Sequence, residues 1–164
     1  MDEGKNITNI RNFVFGVEDS LVSTVGLLSG VAVAGVMPET IVLAGVVLIA
    51  VEAFSMGAGS LLSEHSAKQI SLHQEVPIER SFKSALIMLF SYFFAGFIPL
   101  APYIFLPVSF AFWVSIGASL VALLILGTIS GKIAGIRPLR PALQMLFIGG
   151  AAIALGATVG ILFV

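Results

Sequence analysis

Cysteine is absent from this sequence, and charge is scarce. Without cysteine there can be no disulfide, no thiolate zinc or iron–sulfur site and no thiol nucleophile. Methionine is the one soft ligand left, at Met37, Met56, Met88 and Met145 besides the initiator. Charged residues make up 10% of the 164, with 8 basic and 9 acidic, where a soluble domain carries roughly 25%. So few charges cannot coat a globule of this size, which excludes a soluble single domain. The net charge of −1 excludes the electrostatic footprint of a nucleic-acid binder. No Gly-Lys-Ser/Thr phosphate loop and no His-Glu-x-x-His pair occurs, and both histidines fall in one polar stretch. An ATP-driven pump, a metalloprotease and an enzyme of any visible kind are therefore not expected. What is present is apolar: 58% of residues are hydrophobic and the mean hydropathy is +1.09. Disorder requires the opposite composition. A multispanning membrane protein remains, and at ~20 residues per span there is room for about five.

The apolar runs cover residues 13–36, 40–62, 84–102, 108–130 and 142–164. Each can cross about 30 Å of hydrocarbon as a helix, the third with least to spare. None alternates polar with apolar, as a membrane strand must. Helices satisfy their own backbone in lipid, so the fold expected is an all-α membrane protein of five transmembrane helices in a single domain, 1–164. The first run is read as a retained span and not as a signal peptide. It is longer than a signal core, and Glu18 and Asp19 interrupt its start. The connection 63–83 is the one sizeable polar stretch, read as a helical extension of span 2 with a break near Pro77. Pro99, Pro102 and Pro107 are expected to kink span 3, end it and start span 4.

The basic residues sort onto one side of this arrangement. Lys5 and Arg11 precede span 1, Lys68, Arg80 and Lys83 lie between spans 2 and 3, and Lys132, Arg137 and Arg140 lie between spans 4 and 5. The other connections and the C-terminus carry none. Positive-inside bias then predicts a cytoplasmic N-terminus and an extracytoplasmic C-terminus. Tyr103 and Trp113 fall near the outer ends of spans 3 and 4, where aromatic belts lie.

Glycines recur four apart at Gly26–Gly30, Gly127–Gly131–Gly135 and Gly156–Gly160. That spacing lets helix backbones approach closely, and packing alone explains most such pairs. Span 1 adds Gly16, Ser20, Ser23 and Thr24, so its stripe of small residues coincides with its acid.

Ionisable groups inside a span are costly and call for a reason. Glu52 lies near the middle of span 2, and Asp19 one to two turns inside the cytoplasmic end of span 1. Neither has a lysine, arginine or histidine within the membrane to pair with. Such a carboxyl group favours its neutral form until a cation arrives, which is the chemistry of proton-coupled cation carriage, because metal ligands bind deprotonated. Met56 follows Glu52 by four residues and shares its helix face. A carboxylate with a thioether suits a first-row transition metal better than magnesium or calcium. The plainer readings are a core methionine, a Glu52 hydrogen-bonded to a neighbouring helix and an Asp19 with its head in interfacial water. Asp19, Glu52 and Met56 are the candidate metal ligands. Glu18, Ser23, Glu64 and His65 are candidates for a secondary metal or proton path, against the plainer reading of interfacial and solvated groups. Glu64 and Lys68 form an i,i+4 pair, and Glu39 is a first-turn acid favoured by the helix dipole.

Span 1 contains Phe13-Val-Phe-Gly-Val-Glu-Asp-Ser-Leu-Val-Ser-Thr-Val-Gly, span 2 Ser55-Met56-Gly57-Ala58-Gly59, and span 3 ends Phe97-Ile-Pro-Leu-Ala-Pro102. With Pro138-Leu-Arg-Pro-Ala-Leu-Gln-Met-Leu-Phe-Ile-Gly149 at the start of span 5, these stretches resemble the vacuolar iron transporter family, in particular its bacterial and archaeal iron/manganese branch. The resemblance covers nearly the whole chain. It implies a homodimer in the plasma (inner) membrane of a prokaryote, exporting Fe²⁺ or Mn²⁺ from the cytoplasm in exchange for protons. The metal is then substrate, and no permanently bound cofactor is implied. The ion path is expected near the two-fold axis between the first helices, which would account for the small-residue stripe beside Asp19. The family's helix 1 aspartate matches Asp19 and its helix 2 methionine matches Met56. Three features depart from the pattern. Ser20 stands where glycine is usual. Leu48 stands where eukaryotic members have a helix 2 glutamate, so Glu52 corresponds by helix face and not by aligned position. The connection 63–83 is too short for the helical cytoplasmic metal-binding domain of those members. The alternative from another class is a non-transporting membrane subunit that scaffolds or anchors a metal-handling partner. Its small size and glycine-rich faces permit this, and the cost of intramembrane acids argues against it.

Overall fold

A computed structural model describes residues 2–163, with side chains from Asn6 onward except that of Arg80. Val164, the expected end of span 5, and the side chains of Lys5 and Arg80 lie outside the described residues. Five helices follow in order: α1 (Asp2–Val33), α2 (Pro38–Leu72), α3 (Glu79–Phe105), α4 (Val108–Ile133) and α5 (Leu139–Leu162). All five are long and apolar enough to cross a membrane, and the described residues include no strand.

Sequence chemistry accounts for where the helices stop. Pro38 opens α2 with Glu39 in its first turn, where a missing N–H costs nothing and an acid suits the helix dipole. The polar extension of α2 runs to Leu72 and ends at His73, which takes a left-handed conformation (φ 51°) before the turn to Pro77. At the end of α4, Gly135 adopts φ 68°. Its N–H donates to the Lys132 carbonyl at 3.1 Å, and the Ile136 N–H to the Gly131 carbonyl at 3.0 Å. This glycine cap satisfies carbonyls that the helix end leaves open. The expected end of span 3 at Pro102 needs correction: α3 continues through Pro99 and Pro102 to Phe105. Proline removes one N–H each time but does not stop a membrane helix whose freed groups find partners. The Ser115 hydroxyl also ties α4 to the Pro99 carbonyl at 2.7 Å, and α3 ends where the Leu106 N–H closes on the Pro102 carbonyl at 2.9 Å.

The helices α1 and α3 form the centre, each with half of its spanning window buried, against 28% or less for the others. They run parallel. Asn12 meets the Ser84 carbonyl, Gly16 the Met88 carbonyl and Ser20 the Tyr92 carbonyl, in one constant register. The helix α2 packs antiparallel across both, with Gly45 against Leu28 and Leu100, Ile49 against Gly96 and Gly57 against Leu89. Two apolar clusters fill the interior. Leu28, Ile41, Ile49, Leu100, Tyr103 and Ala111 pack toward one end, and Leu21, Ala95, Leu123, Leu126 and Met145 toward the other. Tyr103, expected in an interfacial belt, is 5% exposed and belongs to the first cluster, while Trp113 is 69% exposed as a belt residue should be.

The glycine pairs have definite partners. Gly26 faces Ala152 and Gly156, Gly30 faces Gly156 and Gly160, and Gly127 and Gly131 face Pro138, Pro141 and Ala142. The stripe on α1 is therefore taken up by α3 and α5 of the same chain. Its Ser23, Gly26 and Gly30 also line an open groove between α1 and α5.

Candidate metal site

The α1–α3 register decides which polar groups meet. The Ser20 hydroxyl donates to the Tyr92 carbonyl at 2.6 Å, and both residues are fully buried. One turn on, the Ser23 hydroxyl lies 2.7 Å from the Tyr92 hydroxyl. The missing Cβ of Gly96 makes room for Ser20 and for Ile49 of α2. Close packing of all three helices follows, and α2 then carries Glu52 to Asp19. The two carboxylates are half-buried and within electrostatic reach of each other, and both act on the Tyr92 hydroxyl. Neither has an ion-pair or hydrogen-bond partner among the described residues. An acid this deep in a span with no cation partner in its own chain is costly and calls for a reason.

Met56, one turn from Glu52, is half-buried. It lines an open cavity of about 1050 Å³ together with Arg11, Asn12, Glu18, Ser55 and Met88. Glu18, which lines this cavity, lies within electrostatic reach of Asp19. The predicted ligands thus fall into two neighbouring groups: Asp19 and Glu52 with Ser23 and Tyr92, and Met56 with Glu18. Among the described residues no three of His, Asp and Glu are gathered as a metal cage.

Glu64 and His65 stand apart from this site. The Lys68 ammonium is 2.6 Å from Glu64 and 3.0 Å from the Ser81 hydroxyl, and Ser84 donates to Glu64. This cluster ties the extension of α2 to the start of α3. The Asn12 amide continues it, donating to Ser60 at 2.8 Å and to the Ser84 carbonyl at 3.1 Å. Glu64 thus takes part in a clasp between α2 and α3. His65 keeps its Nδ1 buried with no partner among the described residues.

Tyr92 and Asn12 are the polar residues that sequence reasoning overlooked. An aromatic ring within an apolar run reads as filler, yet a buried tyrosine hydroxyl usually finds a partner. Asking what that partner could be was the available signal.

A sequence model of the VIT family matches residues 10–80 and 69–161 of this chain. The chain belongs to the VIT family. The vacuolar iron transporter 1 of Oryza sativa subsp. japonica is 26% identical over 203 residues, covering 87% of this chain and 81% of the relative. Its counterpart in Arabidopsis thaliana is 25% identical with the same coverage. The vacuolar iron transporter of Centaurea cyanus is 26% identical, covering 87% and 83%. All three are named as transporters. The alignments run longer than the 164 residues of this VIT-family chain, so the relatives carry residues it lacks. The two family matches meet at 69–80, across the turn between α2 and α3. This agrees with a shortened connection there. Membership of the family and five spanning helices make the chain an integral membrane protein.

Proposed function

We propose that this VIT-family chain carries a divalent transition metal, Fe²⁺ or Mn²⁺, out of the cytoplasm in exchange for protons. The observation that supports it most is that Asp19 and Glu52 lie within electrostatic reach of each other and neither has an ion-pair partner among the described residues. Two carboxylates in this setting bind either protons or one divalent ion, and the alternation of the two is an exchange mechanism. Met56 adds a thioether, which favours a borderline ion over magnesium or calcium. Glu18 receives the ion from the cavity at the basic end, the cytoplasmic side by the positive-inside bias. Ser23 and Tyr92 supply hydroxyls that move a proton or complete the shell. One chain offers too few ligands for six coordination, so the site is completed by a second copy in a homodimer. The membrane is the inner membrane of a prokaryote.

A non-transporting scaffold has no use for two unpaired intramembrane acids, so transport remains the better reading. The test is the purified protein alone in proteoliposomes with a pH dye inside, offered Fe²⁺, Mn²⁺, Co²⁺ and Zn²⁺. Metal uptake is expected to drive protons the opposite way, with Mg²⁺ and Ca²⁺ inactive. No metal flux from the purified protein would sink the transport reading, and flux with no proton movement would sink the exchange.

Tyr92→Phe gives a finer check. Losing one buried hydrogen bond costs stability only about 1 kcal/mol, so the protein is expected to remain folded. Metal-driven proton flux is expected to fall on the order of tenfold, the lower end of the loss seen when a polar partner beside a metal site is removed. Unchanged flux would remove Tyr92 from the path.

A further inference from the structure

We propose that the groove between α1 and α5 at the basic end of the bundle binds one anionic phospholipid. The groove encloses about 1100 Å³, with Arg137 and Arg140 at its head, Gln144 a turn deeper, and Leu143, Phe147 and Ile148 along its apolar wall. Neither arginine has an ion-pair or hydrogen-bond partner among the described residues. Every aspartate and glutamate of the chain lies at or before Glu79, so α4, α5 and their turn bring only positive charge to this end.

One acid, Glu18, lines the groove. In the α1–α5 register, where Gly26 meets Ala152 and Gly30 meets Gly156, Glu18 falls level with Gln144. That is one turn deeper than Arg140. The head of the groove is therefore purely basic. Arg140 also sits in the first turn of α5, where the helix dipole disfavours a cation. The cap residue Pro138 offers no side-chain bond to that turn. An anion at this level relieves both. From Arg140 to Ile148 the helix descends about 12 Å, enough to seat the upper part of an acyl chain below a phosphate held by the arginines. A free phosphate would use the arginines and leave the apolar wall unused. Basic pockets between membrane helices on the positive side take anionic headgroups for these reasons.

The probe is dioleoyl phosphatidylglycerol, titrated against dioleoyl phosphatidylcholine and read by native mass spectrometry of the full chain in mild detergent. Wild type is expected to retain one phosphatidylglycerol per chain in preference to phosphatidylcholine. The double variant R137Q/R140Q is expected to lose affinity on the order of tenfold, for two surface cations removed. K83Q, on a different groove, is expected to bind as wild type does. Equal retention of the two lipids, or no loss in the double variant, would overturn the proposal. So would displacement of phosphatidylglycerol by millimolar inorganic phosphate. Lipid binding to monomers but not to dimers would mean that a second copy covers the groove, and would overturn it too.

Discussion

Asp19→Asn is expected to abolish metal-driven proton flux while the protein folds at least as well as wild type. The substitution keeps the shape of the side chain and removes its charge. In the folded protein Asp19 is half-buried beside Glu52 and has no cation partner. Its ionised form therefore carries a desolvation cost and a like-charge repulsion that asparagine does not. A residue serving stability would show the reverse, with the variant less stable. The expected melting temperature is unchanged or raised. The expected flux in proteoliposomes is at least about tenfold lower, since even partners one shell out from a metal cost ten- to a hundredfold when lost. Glu52→Gln is expected to lose flux to the same extent. The double variant should be little worse than either single one, because groups that act on one ion are strongly non-additive. Flux within twofold of wild type in Asp19→Asn would remove it from the ligand set.

The spans, and the sorting of the eight basic residues to the ends of helices, were readable because each depends on local composition. An apolar run long enough to cross a membrane looks the same wherever it sits in the bundle. The break at Pro77 and the helical extension before it were readable for the same reason. Asp19 and Glu52 could be singled out by cost alone, since a carboxylate deep in an apolar run is rare whatever its neighbours are.

What could not be read was which face meets which. Gly26 and Gly30 announce a close approach, but the four-residue spacing does not name the partner, and the partner is α5. Tyr103 and Trp113 occupy similar sequence positions near span ends, yet one is buried against Leu28 and Leu100 and the other is exposed. Their fates are decided by α3 lying at the centre and α4 at the rim. Pro102 carries a strong local stop signal, and α3 passes it. Glu64 was readable as half of an ion pair with Lys68, but its bond to Ser84 depends on α3 folding back beside α2. Each of these depends on contacts between residues distant in the chain, which periodicity and composition do not encode.

Gly156→Leu is expected to have the largest effect on stability, and the reason lies in backbone contact and not in side chains. A Cβ built on Gly156 would overlap the Gly26 carbonyl oxygen and lie 2.7 Å from its carbon. A Cβ on Gly30 would lie 2.6 Å from the Gly156 carbonyl oxygen, and one on Gly160 would overlap that of Gly30. The backbones of α1 and α5 therefore touch over about two turns, and no rotamer change can make room. Even Gly156→Ala is expected to cost about 1–3 kcal/mol, the usual scale of overpacking. Leucine there must push α5 off α1. Gly150 provides the control on the same helix, since nothing lies within 4 Å of a Cβ built on it. Gly150→Leu adds the same apolar side chain and is expected to melt as wild type does. Thermal unfolding in detergent, followed by loss of the monodisperse peak, should separate the two variants clearly. Because α1 carries Asp19, any Gly156→Leu protein that survives extraction should also transport poorly. Should both leucine variants melt within a degree or two of wild type, the α1–α5 backbone contact would not be what holds α1 in place.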